Sequence, residues 1–335
     1  MKSKQRNTQT RAERTAVLAV SFLFLSAALF SVFIGFIRPP EIVSDPSDIF
    51  GEAHEAVAKP SEEVEAIPNG SARRPDCFMI LISGLDDDNG GSDTNILMRF
   101  DVQGGRIDLV SLPRDTLLHH EWRSNKLNFA YAKGGTDLLK SEVSSLLGVP
   151  VDYTVTVGLR GFIQLVDQIG GVDFDIPVNM DYDDPDQDLH IHFTKGPRHL
   201  NGQEAMEVVR WRKNNDGTGY AAADIGRIGT QQAFLKAVAK KALALNNVPA
   251  LAEVFLQYVK TDRLTIGNLI WLGNEARSIG TEGISFHTLP GDGAAYYRHE
   301  SVYALDPEAT LSLVNDALNP YETPLTIDQL DIFVP

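Results

Sequence analysis

Residues 77–83 read CFMILIS, a short apolar run flanked by Pro75 and Gly84. Its length and its flanking residues mark a buried strand rather than a helix. The rest of the chain is organised around it. The strand delivers a loop over 84–93, GLDDDNGGSD, rich in carboxylates. Residues 95–102 and 106–112 then read as two further strands joined at Gln103, Gly104 and Gly105, and the second ends in Pro113, Arg114, Asp115 and Thr116. Acids and an arginine therefore emerge at strand ends, where open α/β sheets place their ligands.

The downstream pattern alternates strand and helix. Residues 125–135 lead into a helix with Thr136 as its N-cap, Leu138, Leu139, Val143 and Leu147 as its apolar face, and Gly148 and Pro150 as its stop. A strand over 151–157, a short helix over 159–169, a turn at Gly170 and Gly171 and a strand over 172–178 make a βαβ order. Such alternation predicts an α/β fold with a central sheet at least partly parallel. Asn201 and Glu204 have capping-box spacing, so a helix starts there and runs toward Val208. A long helix over 224–246, helices over 263–279 and 307–318, and a strand over 284–289 complete the same domain. No separate chemistry is visible in the last three.

The N-terminal part is of another kind. Lys2, Lys4, Arg6, Arg11 and Arg14 precede an uncharged run at 15–37, close to the ~20 residues that cross a bilayer. It exceeds the ~7–15-residue apolar region of a cleaved signal and ends in Arg38, Pro39 and Pro40, so it reads as a retained transmembrane helix. The positive charge before it places residues 1–14 in the cytoplasm and everything after Arg38 outside the cell, as a single-pass protein of the cell membrane. Residues 38–75 read as a flexible acidic stalk, poor in groups whose burial offsets ordering entropy. Residues 76–335 form the extracellular domain. The net charge of −15 excludes a nucleic-acid-binding body. The single cysteine, Cys77, rules out an internal disulfide or a cysteine metal cage and reads as a small core residue.

Three readings apply to the acidic loop. A calcium loop fails, because Gly90 and Leu97 stand where ligands belong. The triplet Asp86, Asp87 and Asp88 suits either a metal of a nucleotide-sugar transferase or a solvated turn. Asp86 and Asp93, folded toward each other by Gly90 and Gly91, suit one Mg²⁺ that also touches phosphate. Further on, Arg210 and Arg212 flank Trp211. They act together as a fork for phosphate oxygens if the helix ends near Val209. Asp224, Arg227 and Gln231 share one helical stripe that continues into Leu235, Val238, Ala242 and Leu245, which points the polar head into a cleft above the core. Lys126 is either a phosphate contact or a surface lysine. His190 and His192 share one face of a strand after an acidic loop over 181–188. Without a third ligand at a recognisable spacing they read as surface residues.

In ordered combination these motifs resemble the LytR-CpsA-Psr family of membrane-anchored cell-envelope proteins. The matching elements are Gly84–Asp86, Ser92–Thr94, Leu112–Thr116, Lys126–Asn128 with Ala130, Tyr131, Gly134 and Gly135, Ile169–Asp173, Leu200–Gln203, Val209–Arg212, and Asp224–Arg227 with Gln231 and Gln232. The resemblance implies an α/β core with a central mixed sheet flanked by helices, and an apolar pocket with a polar mouth. It also implies a phosphotransferase that moves a glycopolymer from a polyprenyl-pyrophosphate carrier to peptidoglycan. Carried over by motif, Asp86 and Asp93 hold Mg²⁺, while Arg114, Lys126, Arg210, Arg212, Arg227 and Gln231 contact the pyrophosphate. Asp93, Asp224 and Arg114 are the candidate catalytic groups, with Asp93 and Asp224 as alternative bases. Many relatives carry arginine just before the Ser-Asp motif. Here that place is Gly91, with Lys133 or Arg123 as substitutes. The alternatives to transfer are a non-catalytic polyprenyl-pyrophosphate-binding regulator or scaffold, and a pyrophosphate hydrolase.

Overall fold

The computed structural model describes residues 37–42, 72–85, 90–187, 189–220, 223–244, 252 and 255–335. The transmembrane run at 15–37 lies almost wholly outside them, and among the described residues no helix is long and apolar enough to cross a membrane. Most of the stalk also lies outside, but its two ends are attached to the body. The Tyr153 hydroxyl donates to the Glu41 carbonyl at 2.5 Å and the Asn268 amide donates to that of Arg38 at 3.0 Å. Arg73 pairs with buried Asp152, and Arg74 donates to the carbonyls of Tyr321 and Asn319.

The apolar run forms β1 (Cys77–Leu85), an interior strand of a six-stranded mixed sheet. Antiparallel to it runs β2 (Ser92–Asp101), which pairs in turn with β3 (Arg106–Leu112). On the other side β4 (Tyr153–Gly158) is parallel to β1 and is edged by β9 (Val259–Thr261). The far edge is β10 (Ile284–Thr288), parallel to β3. Alternation along β1 sends Met79 and Leu81 to one face and Phe78 and Ile80 to the other, and both faces are covered. That is why its sequence is apolar throughout. Helix α1 (Leu127–Leu147) packs Leu139, Val143 and Leu147 on the first face, and α5 (Ile266–Ile279) brings Leu272 to the second. Charge inside the sheet is matched: Arg99 and Asp108 are register partners, both buried, 2.8 Å apart.

A second core sits beside the sheet. It is built by α2 (Leu159–Gln168), the hairpin of β5 (Val172–Ile176) with β8 (Gly196–Leu200), the hairpin of β6 (Met180–Asp184) with β7 (Leu189–Phe193), α3 (Gly202–Arg210) and α4 (Ala223–Ala244). At Gly202 a Cβ would collide with the Ile163 carbonyl, so α3 and α2 approach as closely as glycine allows. The chain closes with β11 (Gly291–Tyr297), β12 (Glu300–Leu305) and α6 (Pro307–Leu313).

Several boundaries depart from expectation. β2 begins at Ser92 rather than residue 95, because Thr94 pairs with Gly84 and Ser92 with Leu85 around an irregularity in register. Asp93 is thus on a strand, not in the loop. β5 leaves the central sheet; its exposed Asp173 and Asp175 alternate with buried Val172, Phe174 and Ile176, which suits a ribbon with one wet face. Residues 181–184 are strand rather than acidic loop. The helix expected from Thr136 begins already at Leu127 and is broken at Gly134 and Gly135, where Gly135 has φ 67°.

Candidate active site

Arg114 leaves the end of β3 in a turn sewn to the start of α1. The Asn128 amide donates to the Arg114 carbonyl at 2.9 Å, that of Leu127 to the Thr116 carbonyl at 2.9 Å, and that of Leu118 to the Asn125 carbonyl at 2.7 Å. Two of the helix's first amides are thereby used, so attraction for an anion here comes from side-chain cations. The stitching sets Arg114 and Lys126 side by side around Asp115. One Asp115 oxygen lies 3.6 Å from Arg114 Nε and 3.4 Å from Lys126 Nζ. Arg114 Nη1 also donates to Asp93 Oδ1. Asp93 and Arg114 side chains are only 31% and 28% exposed, so these charges interact more strongly than in open water. Gly91 stands beside the same helix start, where a Cβ would lie 3.4 Å from the Asn128 carbonyl oxygen.

The second group is set by the end of α3. The capping box at Asn201 and Glu204 starts this helix as expected, and Arg210 is its last residue. Trp211 is extended, with ψ 136°, and 1% exposed, edge-on to Tyr220 at 4.8 Å. Burial of this indole holds the turn and leaves the arginines on either side of it. Both guanidinium charges act on Tyr182 of β6: burial and Asp184 push its hydroxyl pKa up, and Arg210 and Arg212 pull it down. Arg227 of α4 acts in the same sense on Tyr220, whose pKa burial raises. Gln231 Nε2 donates to the Val209 carbonyl at 3.1 Å, tying the polar stripe of α4 to the residue before Arg210.

At Gln231 lies a small, open cleft. Thr94, next to Asp93, and Gln231 line it; Ile96, Leu109, Leu235 and Phe286 supply apolar walls, and Ser111, Gln232 and His287 complete it. Gln232 Nε2 holds the far wall, donating to the His287 carbonyl at 2.8 Å and Thr288 Oγ1 at 2.7 Å. Asp93, Arg114 and Lys126 therefore form one cluster, and Gln231 joins the arginine turn to the cleft. Asp86 lies outside the described residues, as does the side chain of Asp224, whose backbone is helical. The sequence reading missed Asp115, although it stands inside a quoted motif. It also missed Phe286 and His287, for which no local signal exists. Asp93 presents a carboxylate oxygen, the donor type that suits Mg²⁺, and among the described residues it is paired with Arg114.

The LytR_cpsA_psr family profile matches residues 50–317. The chain belongs to the LytR_cpsA_psr family. Within it, the chain is 31% identical over 250 residues to the polyisoprenyl-teichoic acid–peptidoglycan teichoic acid transferase TagV of Bacillus subtilis (strain 168), covering 70% of this chain and 61% of TagV. The chain thus spans less than two thirds of that relative's length. It is 30% identical over 248 residues to TagU of the same strain, a protein of the same name, covering 72% of this chain and 76% of TagU. The crystal structure of B. subtilis TagV shares the LytR_cpsA_psr fold with a TM-score of 0.61 at 26% identity, covering 72% of this chain and 95% of that one.

Proposed function

We propose that this protein transfers a phosphate-linked glycopolymer from a polyprenyl-pyrophosphate carrier to peptidoglycan during cell-wall assembly; the relatives TagV and TagU are named as transferases of teichoic acid from a polyisoprenyl–teichoic acid to peptidoglycan. The observation that carries this reading is the cluster of Asp93, Arg114, Asp115 and Lys126 at the strand ends, with a small apolar-walled cleft nearby at Gln231, which is hydrogen-bonded to the residue before Arg210. Such a site positions a pyrophosphate and stabilises charge rather than supplying a nucleophile.

In the proposed reaction a sugar hydroxyl of peptidoglycan attacks the glycan-side phosphorus. The new O–P bond forms as the P–O bond to polyprenyl phosphate breaks, and polyprenyl phosphate departs with the bridging electrons. The proton of the hydroxyl passes to a carboxylate, Asp93 or Asp224. Arg114 and Lys126 balance charge on the transferring group, and Arg210, Arg212 and Arg227 balance it on the leaving phosphate. Asp86 and Asp93 would hold Mg²⁺, which when bound supplies charge neutralisation at the phosphate oxygens. The run at 15–37 would anchor the protein in the cell membrane, with residues 1–14 cytoplasmic and residues 76–335 outside.

The test combines the full-length protein in detergent with a synthetic polyprenyl-pyrophosphate glycan and peptidoglycan fragments, with Mg²⁺ or EDTA, and reads products by mass spectrometry. A phosphate-linked conjugate formed only with metal is the expected result. Free glycan phosphate without conjugate would replace transfer by hydrolysis, and tight binding without product would make the protein a carrier-binding scaffold.

A further inference from the structure

The β6–β7 hairpin carries a side-chain cluster that the phosphate site does not use. Met180, Leu189, Ile191 and Phe193 turn into the second core, which leaves Asp181, Asp183, His190 and His192 on the exposed face. Register places Asp181 opposite His192 and Asp183 opposite His190. His190 Nδ1 lies 2.6 Å from Asp183 Oδ1, and His192 Nδ1 lies 2.7 Å from Asp181 Oδ1. His192 Nε2 stands 3.4 Å from the same Asp183 oxygen. One ligand atom from each of Asp183, His190 and His192 falls within 4.8 Å of the others.

Zinc bonds to imidazole nitrogen and carboxylate oxygen are about 2.0–2.2 Å long, so in a tetrahedral site the ligand atoms stand roughly 3.3–3.6 Å apart. The Asp183–His192 separation already has that value. The 2.6 Å contact of Asp183 with His190 would lengthen to it on binding.

The backbone under the carboxylates is held from a second side. The Asp181 amide donates to Asn214 Oδ1 at 2.7 Å and the Asp183 amide to Asn215 Oδ1 at 2.6 Å, while Asn215 Nδ2 donates to the Asp183 carbonyl at 3.0 Å. These asparagines stand two and three residues after Arg212, so the strand that presents both acids is fixed in register by the segment leaving the arginine turn. Ordinary surface pairs are not braced in this way; the Asp173–His199 pair on the neighbouring hairpin, at 2.7 Å, serves as an internal control.

We propose that Asp183, His190 and His192 bind one transition-metal dication of the zinc class, with Asp181 orienting His192 through its Nδ1 as an outer-shell partner. Two imidazoles select such an ion over Mg²⁺. The site is separate from the oxygen-lined strand ends, and its occupancy clamps β6 to β7 under the segment that follows Arg212.

Isothermal titration of Zn²⁺ into the full-length protein in detergent tests this, alongside the double variant His190→Ala/His192→Ala and the control His199→Ala. One tight site should appear in the wild type and in the control. The double variant should bind more weakly by at least the about 10–100-fold that follows loss of a mere outer-shell partner. Zinc should also raise the melting temperature of the wild type but not of the double variant. Cobalt titration of the wild type needs no variant: a tetrahedral d–d spectrum supports the site. Zinc affinity unchanged by the double substitution, no heat with zinc in large excess over protein, or an octahedral cobalt spectrum would overturn it.

Discussion

Two charged regions of this molecule are built from similar ion pairs and differ in what surrounds them. At the strand ends, Asp93, Arg114, Asp115 and Lys126 have side chains between 21% and 37% exposed. On the β6–β7 hairpin, Asp181, Asp183, His190 and His192 range from 48% to 78%. Sheltered charges, carried on a turn whose backbone is hydrogen-bonded to α1, keep their orientation and act through a weaker screen. Exposed pairs add little to stability and exchange partners easily. The first environment suits stabilisation of a developing charge; the second suits capture of an ion from solution.

The largest effect should come from the sheltered region. Arg114→Ala removes the group that faces both Asp93 and Asp115, and transfer of glycopolymer should fall by about 10²–10³-fold, the loss typical of one preorganised charge-stabilising donor. The melting temperature should stay within a few degrees. Undiminished product by mass spectrometry would take the strand ends out of the chemistry. Next comes Arg212→Ala, which should weaken binding of a polyprenyl pyrophosphate by about tenfold or more, the scale of one hydrogen bond to a charged group. Equal affinity in a fluorescence binding assay would separate the arginine turn from the cleft.

A smaller gain is expected from Gly91→Arg. The Cβ would make only an ordinary contact at 3.4 Å and the residue has no positive φ, so the side chain can extend beside the helix start. Carrier affinity should rise a few-fold, and a loss would show that the strand ends tolerate no further cation. The smallest effect belongs to the exposed pairs. The His199 hydrogen bond lowers the Asp173 pKa below its ordinary 3.8. A depressed carboxylate stabilises the fold above the unfolded pKa, and that contribution is lost as pH falls through the folded value. Carboxyl-carbon NMR should place the Asp173 titration below 3.8 in the wild type and back near it in His199→Ala, with the melting curve at neutral pH scarcely moved. A large shift in that curve would mean that exposure does not divide the two regions.

Much of the scaffold was legible because its signals are local. The capping box at Asn201 and Glu204 closes hydrogen bonds within a turn. The apolar run of β1 reports a strand covered on both faces, and Cys77 is buried in it with its thiol pushed up to about 11, first by burial. The arginine fork required α3 to stop near Val209, and it stops at Arg210. The role of Asp115 was not legible, since it depends on a turn hydrogen-bonded to the start of α1. Phe286 and His287 reach the cleft only because β10 lies parallel to β3 in register with it. The partners of His190 and His192 were hidden for the same reason: a segment read as an acidic loop is the opposing strand.

From the sequence alone came β1 to β5 and β10, the capping box of α3, the inward faces of β1 and α1, and the ordered motifs of the family, because each rests on period, capping or residue type within a few positions. Only the tertiary structure decided which charges meet. It set Asp115 between Arg114 and Lys126, put Gln231 against the Val209 carbonyl, and paired each histidine of β7 with an aspartate of β6. Those meetings follow from strand register and helix packing, where a one-residue slip turns every side chain to the other face and no local pattern specifies the outcome.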